Sequence, residues 1–93
     1  MRVTPLHAAL ARGSEPVARL LLDRGADASA RQASGVTPLH EAAASGHRPL
    51  AELLVERGAD PAALDGEGRS PGDLARAAGH VALADWLFGV AGG

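Results

Sequence analysis

The sequence predicts an all-α solenoid of three helix-turn-helix units at a 33-residue period. Three observations carry that prediction. The string Thr-Pro-Leu-His occurs at Thr4 to His7 and again at Thr37 to His40. Setting residues 4–36 over 37–69 gives 17 identities in 33 positions, among them Gly13 with Gly46, Leu20 and Leu21 with Leu53 and Leu54, and Arg24 to Asp27 with Arg57 to Asp60. A third register continues the count, with Ser70 and Pro71 under Thr37 and Pro38, Gly79 under Gly46, and Leu87 under Leu54. A period of this length marks a supersecondary unit that cannot bury its apolar face alone and therefore stacks on its neighbours. Residues 1–93 are read as one domain, with repeats at about 1–33, 34–66 and 67–93.

Each element follows from local chemistry. Thr37 is suited to an N-cap, because its hydroxyl can accept from a free N–H of the first turn, and Pro38 suits the first helical position, where its missing N–H is no loss. The helix continues through Leu39, His40, Ala42 and Ala43 and stops near Gly46, too short to stand by itself. A second helix is expected from Arg48 to Arg57, with Leu50, Leu53 and Leu54 forming one apolar stripe and Gly58 ending it. Arg57 in the last turn favours the negative end of the helix dipole. The first repeat copies this with Val17, Leu20, Leu21, Arg24 and Gly25. From Ala59 to Arg69 the chain carries Pro61, Gly66 and Gly68 with little periodicity, which reads as a loop with a tight turn.

Composition narrows the function. No cysteine is present, so disulfides and thiolate metal or redox sites are excluded. The net charge of -2, with no basic cluster, removes the footprint that phosphate-backbone binding needs. No apolar run approaches a bilayer span, Pro5 and His7 interrupt the weak signal-peptide character of the N-terminus, and a soluble, cytoplasmic protein is expected. All nine basic residues are Arg and Ala occurs 21 times, a bias expected of a GC-rich, bacterial coding sequence.

In register, Thr37-Pro38-Leu39-His40, Ala42-Ala43, Gly46-His47, Leu53-Leu54 and Gly58-Ala59-Asp60 closely resemble the ankyrin repeat, and the likeness runs over essentially the whole chain. The resemblance implies stacked helix pairs with β-hairpin finger loops projecting at right angles, and binding of protein partners by finger tips and a concave first-helix face. It also implies that His7 and His40 hydrogen-bond the adjoining turn. Departures are Ser14 for the second His of repeat one, Gln32 where the finger usually has Asp, and Gly72-Asp73 for Leu-His in repeat three. Gly72 is expected to leave a core side chain missing and to cost about 1 kcal/mol relative to Ala in a helix. Ser70 with Asp73 retains a Ser-x-x-Asp cap.

No chemistry-bearing constellation survives comparison with the period. All four histidines fall on repeat positions, and no pair has a close metal-ligand spacing, so neither a metal site nor a cofactor is expected. Ser14, Ser29, Ser34, Ser45 and Ser70 belong to caps or loops, and no catalytic residues are assigned. Asp27 and Asp60, one repeat apart, are read as local turn acceptors, and Glu15 with Arg19 as a solvated i, i+4 pair.

Positions where the repeats disagree are free of scaffold demands, and these are the candidate partner-reading positions. On the first helices they are Ala8, Glu41 and Leu74, then Arg12, Ser45 and Ala78. On the fingers they are Ser34 and Val36 against Glu67 and Arg69. Arg12 and Arg69 are expected as anchors, since interface hot spots favour Arg. Trp86 takes the Leu20 and Leu53 position and is read as core. Val81, Ala84 and Phe88 form a separate stripe on the last helix, expected to contact another copy, another protein or further chain. The leading function is a non-catalytic protein-binding adaptor, scaffold or inhibitor subunit. The alternative is the terminal part of a longer array, or a subunit that weakly self-associates through its ends.

Overall fold

The computed structural model describes residues 5–92. Thr4, the first of the two Thr-Pro-Leu-His caps, lies outside the described residues. Six helices follow one another: α1 (Pro5–Ala11), α2 (Glu15–Asp23), α3 (Pro38–Ser45), α4 (Arg48–Glu56), α5 (Pro71–Ala77) and α6 (Val81–Gly92). They pair as α1–α2, α3–α4 and α5–α6, and the first helices stack in a row, α3 packing on both α1 and α5. The predicted three-unit, all-α solenoid is what forms.

The caps behave as their residues dictate. Thr37 Oγ1 accepts from the His40 N–H, and the His40 ring turns back to the Thr37 N–H, a reciprocal box that holds the start of α3. Ser70 and Asp73 make the same box at α5, with bonds of 3.2 and 2.9 Å. Gly46 ends α3 with a left-handed φ of 74°. Arg57 lies just past α4 and its guanidinium reaches back 2.5 Å to Asp23 of the preceding unit, an inter-repeat ion pair that the dipole argument did not foresee.

The core is built from leucine and alanine at repeat-equivalent positions. Leu6, Leu10, Leu39, Leu50, Leu54 and Leu87 are buried, with Ala18, Ala42, Ala43, Ala51, Ala75 and Ala84 between them, small enough to let the helices approach closely. Trp86 is half-buried against this core, with the Arg48 guanidinium 5.5 Å from its ring centroid. That cation–π contact is worth about 0.5–1 kcal/mol at such a partly exposed site.

Two sequence expectations are corrected and the fingers are better defined. The fingers contain no strand among the described residues: each reversal is closed by two backbone bonds, Gln32 N–H to Val36 O at 3.0 Å with Gly35 N–H to Gln32 O at 2.9 Å, and Asp65 N–H to Arg69 O at 2.9 Å with Gly68 N–H to Asp65 O at 3.0 Å. The space at Gly72 is filled. A Cβ there would lie 2.9 Å from Phe88 Cε1, so the aromatic ring supplies the volume that Leu39 supplies in repeat two. Finally, the apolar stripe of repeat one is not buried: Val17 and Leu20 are 47 % and 50 % exposed, because no described helix pair lies in front of them.

Candidate functional site

The candidate site is a surface of two adjoining rows, the first helices and the fingers. What positions it is a chain of histidine bridges. His7 Nε2 donates to Val36 O at 3.0 Å and His40 Nε2 donates to Arg69 O at 2.8 Å, each joining a first helix to the end of the following finger. The expected role of both residues is therefore present. His40 Nδ1 meanwhile accepts from the Thr37 N–H at 3.2 Å, which fixes the neutral Nε2–H tautomer. Burial lowers the His40 pKa below its usual 6.5; the Arg69 carbonyl and the Asp65 carboxylate oppose this, and the Arg31 and Arg69 cations reinforce it.

The two fingers are stiffened differently. In the second, the buried Asp65 carboxylate accepts from the Glu67 and Arg69 N–H groups, both at 2.9 Å, and from Arg69 Nε at 3.2 Å. Its pKa falls below the usual 3.8, chiefly through the Arg69 N–H bond and next the Glu67 N–H, against a desolvation cost and with help from the Arg69 charge. In the first, Gln32 cannot do this and instead donates to Glu41 Oε1 at 3.2 Å. Arg31 takes over, donating to Gly35 O at 3.0 Å and across to Leu64 O at 2.7 Å, while the Gly66 N–H donates to Ser34 O at 2.7 Å. The finger tips are thus strapped to each other.

The candidate residues separate on this frame. Ser34, Glu67 and Arg69 are exposed on the fingers, Arg12 and Ser45 are exposed at the ends of α1 and α3, and Val36, Glu41 and Leu74 are half-buried. Arg69 is already compensated, by Asp65 and by Glu67 at 3.1 Å, whereas Arg12 makes no ion pair among the described residues. Of Val81, Ala84 and Phe88, Ala84 is 1 % exposed and belongs to the core, while Val81 and Phe88 are 60 % and 38 % exposed, Phe88 with its ring also against Gly72.

Two contacts escaped sequence reasoning. The His47 ring packs on Gly13, and the His80 ring packs on Gly46, where a Cβ would approach His80 Cε1 to 2.6 Å. Each histidine therefore staples its unit to the turn of the one before. The signal was present: His stands after Gly46 and Gly79, but Ser14 after Gly13, at the unit with no described predecessor. Asp27 and Asp60 do accept from local N–H groups, of Ser29 and Ala62, both at 2.8 Å. Among the described residues no group of three His, Asp or Glu side chains converges as a metal site would need, and no helix is long and apolar enough to cross a membrane.

A row of short helix pairs in register, bridged by histidines and strapped at the fingers, defines a helical-repeat protein whose function lies on its surface. The chain belongs to the ankyrin repeat family: a family model described as ankyrin repeats in three copies matches residues 1–65. No curated protein matches the chain significantly. Ankyrin repeats are in general protein–protein interaction modules, and the family is typically non-catalytic.

Proposed function

We propose that this chain is a non-catalytic adaptor, scaffold or inhibitor subunit that reads one protein partner along its first helices and finger tips. One observation carries the reading. The shared residues Thr37, Leu39, His40 and Leu54 are buried in the frame, while the differing positions Ala8, Arg12, Ser34, Ser45, Glu67, Arg69 and Ala78 are exposed along the first helices and fingers. Ser34 and Glu67 on the fingers, Ser45 beside them and the partly open Glu41 and Leu74 offer a mixed surface of modest charge, suited to a polar rim with a small apolar centre. Arg12 sits at one edge of this surface and has no ion-pair partner among the described residues.

The test is capture from source-cell lysate with mass-spectrometric identification, followed by affinity measurement on Ser45→Arg and Glu67→Arg. Both sites are exposed, so helicity should be retained while affinity for the captured partner falls at least about tenfold, as expected for charge and bulk set into an interface. Unchanged affinity in both variants would move the binding surface elsewhere. The alternative, a unit of a longer or self-associating array, is favoured by the exposed Val17 and Leu20.

A further inference from the structure

Equivalent positions across the three units differ most on the front face of unit one. Pro5 is exposed where Pro38 and Pro71 are buried. Val17 is 47 % exposed where Leu50 and Leu83 are 1 % and 5 %, and Leu20 is 50 % exposed where Leu53 is 4 %. Leu21 is half-buried where Leu54 and Leu87 are fully buried. In units two and three these residues are covered by the helix pair in front. In unit one Pro5 and Leu21 border two hollows, of about 210 and 390 Å³, the larger also lined by Val17.

The opposite end of a second copy does not suit this face. At the far end Arg76 stands exposed where Leu10 and Ala43 are fully buried at the internal interfaces, so head-to-tail stacking would strip water from an unpaired guanidinium. The face is instead complementary to itself. Its centre is aliphatic, and its two ends carry opposite charge: the larger hollow is rimmed by Arg12 at the turn between α1 and α2, the smaller by Asp27 beyond the far end of α2. Arg12 has no ion-pair partner among the described residues, and Asp27 accepts only from the Ser29 N–H.

We propose that the face made by Pro5, Val17, Leu20 and Leu21 is a two-fold homodimer interface, in which α1 and α2 pack antiparallel on the same helices of a second copy and each Arg12 pairs with the partner's Asp27. The two-fold rotation that reverses the helices is the one that brings each positive end over a negative end. The rotation that keeps them parallel sets Arg12 against Arg12.

Sedimentation velocity on the purified chain across a wide concentration range tests this. A monomer–dimer equilibrium is expected, and Leu20→Glu should weaken it about 100-fold or more, since the change enters a two-fold interface twice. Leu20 is exposed, so circular dichroism should report unchanged helicity. Arg12→Asp and Asp27→Arg should each weaken association about tenfold, and the double variant should restore it, because swapping both ends preserves the pairing. Val81→Glu should leave it unchanged. A monomer at every concentration, open-ended growth, or a dimer sensitive to Val81→Glu and indifferent to Leu20→Glu would each overturn the proposal and assign the face to another occupant. Partner capture and self-association are read separately, so one can fail without the other.

Discussion

His40 is the residue on which most of the frame converges, since it caps its own helix and holds the second finger through Arg69 O. It does so as a neutral ring, and that gives stability a pH dependence. Its folded pKa lies below 6.5, so at acid pH the unfolded chain takes up a proton that the folded chain refuses. Stability should therefore decline as pH falls below about 6.5 and stop declining once the folded form also protonates. Asp65 adds a second decline below 3.8, because its folded pKa is also depressed and the unfolded carboxylate binds its proton first. Thermal melts across this range should show both phases; a melting temperature flat from neutral to about pH 5 would contradict the neutral His40. A second residue-scale prediction concerns Gly72 and Phe88, a small–large pair replacing Leu39 and Val55. Gly72→Leu alone should destabilise by about 1–3 kcal/mol through overpacking, whereas Gly72→Leu with Phe88→Val should recover much of the loss in a double-mutant cycle of chemical denaturation.

Elements were legible to the extent that one turn of chain determines them. Thr37-Pro38 and Ser70-Pro71 announce helix starts, Gly46 a helix end, and Leu50, Leu53 and Leu54 a buried stripe, all of which appear. What remained hidden depends on neighbours in the stack. The Val17–Leu20–Leu21 stripe has the same local pattern as its repeat-two counterpart, yet its burial depends on a covering unit that local sequence cannot encode. Ala84 was misplaced for the related reason that periodicity on an apolar helix does not say which face meets the preceding unit. The finger reversals likewise close through two backbone bonds each and the Asp65 and Arg31 straps instead of a strand ladder. The histidine staples make an element-scale prediction. Gly46 and Gly79 both have left-handed φ, 74° and 88°, but only Gly46 faces a ring. Gly79→Ala should cost about 1–2 kcal/mol from backbone strain alone, and Gly46→Ala measurably more, because His80 must also be displaced. Equal losses in denaturant titrations would show that the ring contact contributes nothing.

The whole molecule is a linear stack, so its stability is approximately a sum of units and the interfaces between them. The middle unit has two such interfaces and each outer unit one. The C-terminal unit is held internally by Phe88 on Gly72 and the Ser70–Asp73 box, and to the middle unit by Arg48 over Trp86 and the His80 staple. In the first unit Val17 and Leu20 remain about half exposed. Local opening should therefore begin at α1 and α2, in keeping with the rule that segments with few buried apolar contacts open first. In dilute solution, native-state amide exchange should be fastest in α1 and α2, slower in α5 and α6, and slowest in α3 and α4. If the first unit is also the dimer face, raising the protein concentration should slow exchange in α1 and α2 selectively, because association stabilises only the form in which those helices are folded. Leu20→Glu should abolish that concentration dependence and leave the dilute-solution ranking intact. Uniform exchange across all six helices would instead mean that the three units open as a single cooperative block, so that the exposed face of the first unit confers no local weakness.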